Sequence, residues 1–299
     1  MNNQTLWIYD RLNNFKGSKM IRNVILNNKN TTVASWNSDK KINYDLYSKV
    51  IFDFNEDRIS KTKLRVLENI ASKFMSLKNK PVIYNNPTLL KDTTNKYKSY
   101  ELLKKGENEV IKMPNFSKSI TKDIDFYPVI LKTNSNATND GKDCICKNYK
   151  ELISAFKKNG MKKNNIIISQ LINSFDPIMK KYHKVRWMVY GNKIIEQQVC
   201  FNKVFNVHNK YTSTKMYLQA KPRYEEFKKK NINEINSFLN FHKSVFGEGF
   251  FALDLIFDFV ENKIYLCETS IKFYDNGASY MPKDGRKEHH TKEIISYLT

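Results

Sequence analysis

"FFALDLIFDFVENKIYLCETS", residues 250 to 270, reads as two strands around a tight turn. Asp254 sits among Phe251, Leu253, Leu255 and Phe257, and Glu268 follows Ile264, Tyr265 and Leu266. A carboxylate in such company costs free energy unless something uses it. Directly opposed residues of an antiparallel pair share a face. The positions 254 and 268 are centred on Glu261, so they oppose each other if the loop is Val260-Glu261-Asn262, closed by Phe259 and Lys263. Asn262 tolerates the left-handed conformation that ends such a loop. In that register the apolar residues from Phe251 to Phe257 face the core, with Tyr265 and Cys267 opposite them. Asp254, Glu268 and Ser270 then share the other face. The reading therefore predicts a carboxylate pair built to hold a cation.

Working outward, "TLWIY" and "SKVIFDF" read as strands. "SKTKLRVLENIASKFMSLKNK" has Leu64, Leu67, Ile70, Phe74 and Leu77 on one helical face. With the strand and Asn-Pro stop of "PVIYNNP", this alternation predicts an α/β domain over residues 1–88. A second part, 89–165, begins with a helix in "TLLKDTTNKYKSYELLKKG" that stops at Gly106. It continues with the strand "YPVILKT", the polar loop "NSNATNDGKD", the strand "DCIC" and the Asn-capped helix "NYKELISAFKKNG". The third part, 166–299, opens on the buried-type strand "NIIISQLI". A hairpin turning at Gly191-Asn192, the helix "NINEINSFLNFHKSVFG", the opening hairpin and a short terminal helix in "TKEIISYLT" follow.

The polar residues that punctuate these elements form an ordered set. Lys96 lies in a helix after an Asn-Pro, Lys132 ends an apolar strand, and Gln170 ends another. Arg186 lies in a strand before a Gly turn, and Asp254 and Glu268 lie on the last hairpin. Two lysines and an arginine neutralise phosphates. Two carboxylates hold Mg²⁺, a hard cation that takes oxygen ligands and bridges to substrate phosphates.

This order resembles the ATP-grasp superfamily, and within it carboxylate–amine ligases such as glutathione synthetase and the ribosomal-protein glutamate ligase. The likeness covers most of the chain. It implies an α/β (α+β) fold: a Rossmann-like N-terminal domain, then two α+β subdomains that clasp ATP. "NNPTLLKDTTNKYKSYELL" looks like the segment with the first phosphate lysine, Lys96. "YPVILKT" and "NATNDGKD" look like the second lysine, Lys132, and the mobile loop over the triphosphate, where Ser135 and Thr138 donate to phosphate. "IIISQLI" looks like the hinge that bonds adenine, here Ser169, Gln170 and Leu171. "KVRWMVYGNKII" is similar to the strand pair with the arginine, Arg186, and places Lys184 among the nucleotide contacts. The closing hairpin supplies the metal ligands Asp254, Glu268 and Ser270. Lys132 and Arg186 take the catalytic roles. The chain departs from the family pattern at Gln170, where many relatives have Glu, at Ser270, where Asn is usual, and in having one loop glycine, Gly141.

The resemblance implies an ATP-dependent carboxylate–amine or carboxylate–thiol ligase that works through an acylphosphate. A kinase on the same fold, acting on a small molecule or sugar, is the alternative. The composition allows a third class: 51 Lys and Arg against 30 Asp and Glu leave +21, which favours anionic partners such as nucleic acid. No helix-turn-helix, zinc-finger or RNP-like pattern supports that class, and the lysines spread along the chain. An acidic amino acid, peptide or other small molecule is the expected substrate, and a homo-oligomer is compatible with the sequence. The basic, aromatic stretch 200–227 is the expected acceptor pocket, with Lys203, His208 and Arg223 as candidates. No secretory signal or membrane-length apolar run is evident. Four cysteines without zinc spacing read as reduced thiols of a cytoplasmic protein.

Overall fold

The computed structural model describes residues 4–9, 30–36, 42–54, 59–89, 92, 95–134, 143–205, 207, 212–271 and 292–297. The N-terminal unit contains β1 (Gln4–Tyr9), β2 (Thr31–Ser35), β3 (Tyr47–Asp53), α1 (Lys61–Met75) and β4 (Val82–Tyr84). Its four strands run parallel in the order β2-β1-β3-β4. A parallel sheet is covered on both faces, so its central strands are apolar without alternation. Accordingly Leu6, Trp7 and Ile8 on β1 and Val50, Ile51 and Phe52 on β3 are all buried. The Ser60 side chain accepts from the Lys63 amide and caps α1, which buries Leu67, Ala71 and Phe74.

The second unit contains α2 (Lys96–Lys104), β5 (Ile111–Lys112), β6 (Phe116–Ser117), β7 (Val129–Thr133), β8 (Cys144–Cys146), α3 (Tyr149–Lys158) and β9 (Ile166–Gln170). Helix α2 is shorter than the sequence pattern implied. Residues Pro87–Leu89 make a separate 3₁₀ turn, and the Asn95 side chain accepts from the Lys98 amide and starts the helix at Lys96. Strands β6, β9, β7 and β8 form an antiparallel sheet in that order. The chain therefore leaves this sheet after Gln170, where the sequence reading set the break before residue 166.

The third unit contains β10 (Phe175–Asp176), β11 (Lys181–Tyr190), β12 (Lys193–Asn202), α4 (Thr214–Lys230), α5 (Ile232–Phe246), β13 (Phe250–Asp258) and β14 (Lys263–Ile271). Strand β11 pairs with β12 on one side and β13 on the other, and β13 pairs with β14. Strand β5 of the second unit joins this sheet parallel to β14. Helix α4 carries Pro222 inside it and takes in much of the stretch expected to line the acceptor pocket. Helix α5 ends at Gly247, whose φ of 76° requires glycine there. Residues 292–297 are helical, and Ile294 packs with Trp7, Ile51, Tyr84, Tyr190 and Phe250 between the first and third units.

The closing hairpin reaches the expected pairing by another route. Asp258 pairs with Lys263, so the loop has four residues, Phe259 to Asn262, and not three. Asn262 does take the left-handed conformation, at φ 53°. Continued regularly, this even loop would set Cys267 against Asp254 and turn Glu268 into the core. Instead the register shifts between Leu255 and Asp254, and Cys267 is left over as a bulge. Leu266 pairs with Leu255, and Glu268 pairs with Asp254. Ile264 and Leu266, not Tyr265 and Cys267, therefore oppose Phe257 and Leu255 and are buried with them.

Candidate active site

On the face of the large sheet that carries Asp254, the pairing aligns one residue from each of four strands. Gln198 on β12 faces Arg186 on β11, Arg186 faces Asp254 on β13, and Asp254 faces Glu268 on β14. Arg186 grips Asp254 as a fork, with Nε 2.6 Å from Oδ1 and Nη2 3.0 Å from Oδ2. Lys184 donates to the same Oδ2 at 3.2 Å. Lys96, at the first position of α2, approaches Glu268 at 3.9 Å. Two facing carboxylates would repel each other; three cations offset that repulsion. Ser270 shares this face, opposite Ala252.

A cavity of about 180 Å³ opens beside the row. Its charged lining includes Lys132, Lys184, Asp254 and Glu268, and Asp143 adds a further carboxylate. Its apolar lining includes Ile130, Leu171, Ile172, Phe205, Val207 and Ile256. The Cys267 thiol lies among these charges. Burial pushes it up to about 11, Lys132 and Lys184 pull it down, and Asp254 and Glu268 raise it. Lys132, from the small sheet, thus shares its surroundings with Lys184 and both carboxylates, from the large one.

At the hinge, the Gln170 amide donates to the Asn115 carbonyl at 2.7 Å, and the Gln170 Oε1 accepts from the Asn115 amide. The Leu171 amide donates to the Pro128 carbonyl at 2.8 Å. These two amides are therefore already committed within the protein. Ser169 is buried and lines the cavity, and its hydroxyl donates to the Gln170 carbonyl at 3.4 Å. Ser135 and Thr138, and the loop expected over the phosphates, lie outside the described residues apart from Asn134. The Asn134 side chain accepts from the Tyr97 amide at 2.8 Å and so touches the start of α2.

The acceptor-pocket candidates fare differently. Phe205 and Val207 do line the cavity, and Lys203 is exposed. His208 lies outside the described residues. Arg223 is a correction: it is on α4, where its Nη1 donates to Asp176 at 2.7 Å and its guanidinium stacks 3.6 Å from the Phe259 ring. Asp176 is fully buried. Burial pushes its carboxyl up, but the Met179 amide, Arg223 and Tyr224 outweigh that and hold it below its ordinary value. Neither Arg223 nor Asp176 lines the cavity, so this pair lies away from the site. The sequence reading missed Gln198, Asp143 and Cys267; the strand register was the signal for Gln198, which continues the Arg186 row.

The oxygen-only pair of Asp254 and Glu268 suits a hard divalent cation. Among the described residues, no group of three or more His, Cys, Asp and Glu side chains converges. Among the same residues no helix is long and apolar enough to cross a membrane.

Solved ATP-grasp proteins share this arrangement of three sheets. The ATP-grasp ligase PsnB, solved with a minimal precursor, superposes with a TM-score of 0.60 at 8% identity over 99% of both chains. A RimK domain ATP-grasp protein from Sphaerobacter thermophilus gives 0.55 at 10% identity, covering 98% of this chain and 99% of that one. The D-alanine–D-alanine ligase of Bacillus anthracis, solved with ATP, gives 0.52 at 13% identity, covering 99% and 95%. At such identities the likeness is one of fold. No family model matches the sequence, and no curated protein matches it.

Proposed function

We propose that this protein is an ATP-dependent ligase that joins a carboxylate to an amine through an acylphosphate. The observation that carries the reading is the row Arg186–Asp254–Glu268, flanked by Lys96, Lys132 and Lys184 beside a partly apolar cavity. Phosphoryl transfer needs positioning and charge neutralisation more than covalent help. In this reading the apolar lining takes the base, and Lys96, Lys132 and Lys184 hold phosphates. Arg186 leaves Asp254 for the transferred phosphoryl group. Asp254 and Glu268, with Ser270 beside them, hold Mg²⁺, which when bound neutralises phosphate charge. A substrate carboxylate oxygen attacks the γ-phosphorus and ADP leaves. The amine nitrogen then attacks the acyl carbon, phosphate leaves, and the nitrogen gives up a proton.

An excess of 21 positive charges suits an acidic amino acid or peptide as substrate. No disulfide joins the four cysteines, which suits a reducing compartment such as the cytoplasm. The three units correspond to an N-terminal domain and the two arms of the clasp. The test is to supply ATP, Mg²⁺ and pools of carboxylates, with hydroxylamine as the trapping amine. A hydroxamate formed together with stoichiometric ADP and phosphate is the expected result. Glu268→Gln should abolish it while leaving the circular dichroism spectrum unchanged. ADP formed without phosphate release would mean a kinase and overturn the ligase.

A further inference from the structure

The bulge at Cys267 decides which face Glu268 occupies, so whatever holds the bulge holds the carboxylate. A bulged residue is left out of the ladder, and its backbone groups need other partners. The Cys267 carbonyl receives the Tyr100 hydroxyl, from α2. Tyr100 is buried. Lys96 and Tyr100 are one helical turn apart and so lie on one face of α2. That face meets Glu268 with its first residue and Cys267 with its second.

The other side of the strand is held from α5. Thr269 is the polar member of the core-facing set Ile264, Leu266, Thr269 and Ile271, and it is buried. Its hydroxyl lies 3.0 Å from the His242 Nε2. His242 is fully buried beside Phe246 and Phe251, and its Nδ1 has no hydrogen-bond partner among the described residues. Placing two polar groups in an apolar helix–sheet contact costs more than two aliphatic residues would. Their pairing fixes the residue next to Glu268.

We infer that Tyr100 and His242 are positioning residues that clamp the Cys267 bulge from two helices and so set Glu268 opposite Asp254. The role of Glu268 toward a cation rests on the proposed function; the clamp itself does not.

The variants are Tyr100→Phe and Thr269→Val, each of which removes only a hydroxyl at nearly constant shape, and His242→Gln. Two measurements apply to the full chain. Amide hydrogen exchange over residues 264–271 should speed up in all three variants, with melting temperatures close to the parent. Binding of a non-hydrolysable ATP analogue should need about tenfold more Mg²⁺ for half-saturation, the low end of what orienting groups around a metal contribute. Affinity for the analogue without Mg²⁺ should be unchanged. Parental exchange in both Tyr100→Phe and Thr269→Val overturns the clamp. Faster exchange with a parental Mg²⁺ requirement overturns its link to Glu268. Glu268→Gln in the same titration separates the two ideas. If it too leaves the Mg²⁺ requirement unchanged, the metal-site reading fails while the exchange data still decide the clamp.

Discussion

Two rows of side chains cross the same four strands one residue apart, on opposite faces. The front row is Gln198, Arg186, Asp254 and Glu268; the back row is Gln197, Trp187, Leu253 and Thr269. The front row borders a cavity, and its charges meet in ion pairs. The back row is sealed under α4 and α5, and its own members are all neutral. Trp187 donates to Gln197 at 2.7 Å, and Thr269 meets His242. Charge placed beside an opening is available to a ligand; charge placed under a helix would only be desolvated. One strand register thus separates an ionic surface from a neutral wall 180° away on each strand.

The largest expected effect is acid sensitivity of the wall. Burial pushes His242 down to about 3. Burial also pushes His183, on the same face of β11, down to about 4, although Asp176 draws it back upward. Arg223 and Tyr224 also face His183, whereas His242 faces Thr269 and aromatic rings. Both folded values lie below the unfolded one near 6.5, so the unfolded chain binds more protons between them. Stability is complete above that value and falls with pH toward the folded values, by about 1.4 kcal/mol per pH unit for each histidine. Urea titrations from pH 7 to pH 4 should show this slope, and His242→Gln should remove its share. A flat profile would mean the wall is not sealed.

A smaller effect is expected from Trp187→Phe. It leaves the Gln197 Oε1 without its donor, at about 1–3 kcal/mol, and denaturant midpoints would measure it. A cost as small as that of a surface change would place water behind the row. The smallest effect belongs to the hairpin tip, beyond both rows. Val260 is 92% exposed, and Val260→Thr should shift stability by no more than about 0.5 kcal/mol.

Much of this contrast was legible in the sequence because it is local. Apolar strands ending in Lys132 and Gln170, a Gly-Asn turn after Arg186, and carboxylates among aromatics each announce themselves within a few residues. The bulge did not, because a three-residue loop and a four-residue loop with one leftover residue give the same pairing of Asp254 with Glu268. The commitment of Arg223 was hidden for a different reason. Its carboxylate, Asp176, lies 47 positions away in sequence, and only the packing of α4 on the sheet brings them together.

The leftover residue has a genetic corollary. Leu255 already faces Leu266, and Asp254 already faces Glu268, with Cys267 outside the count. Deleting that single codon would leave every other cross-strand partner where it is and straighten the ribbon into an ordinary ladder. What would vanish is the extra twist that a bulge imparts. The carboxylate pair of the site is thus encoded in twenty-one positions from 250 to 270, but the curvature of its ribbon hangs on one of them.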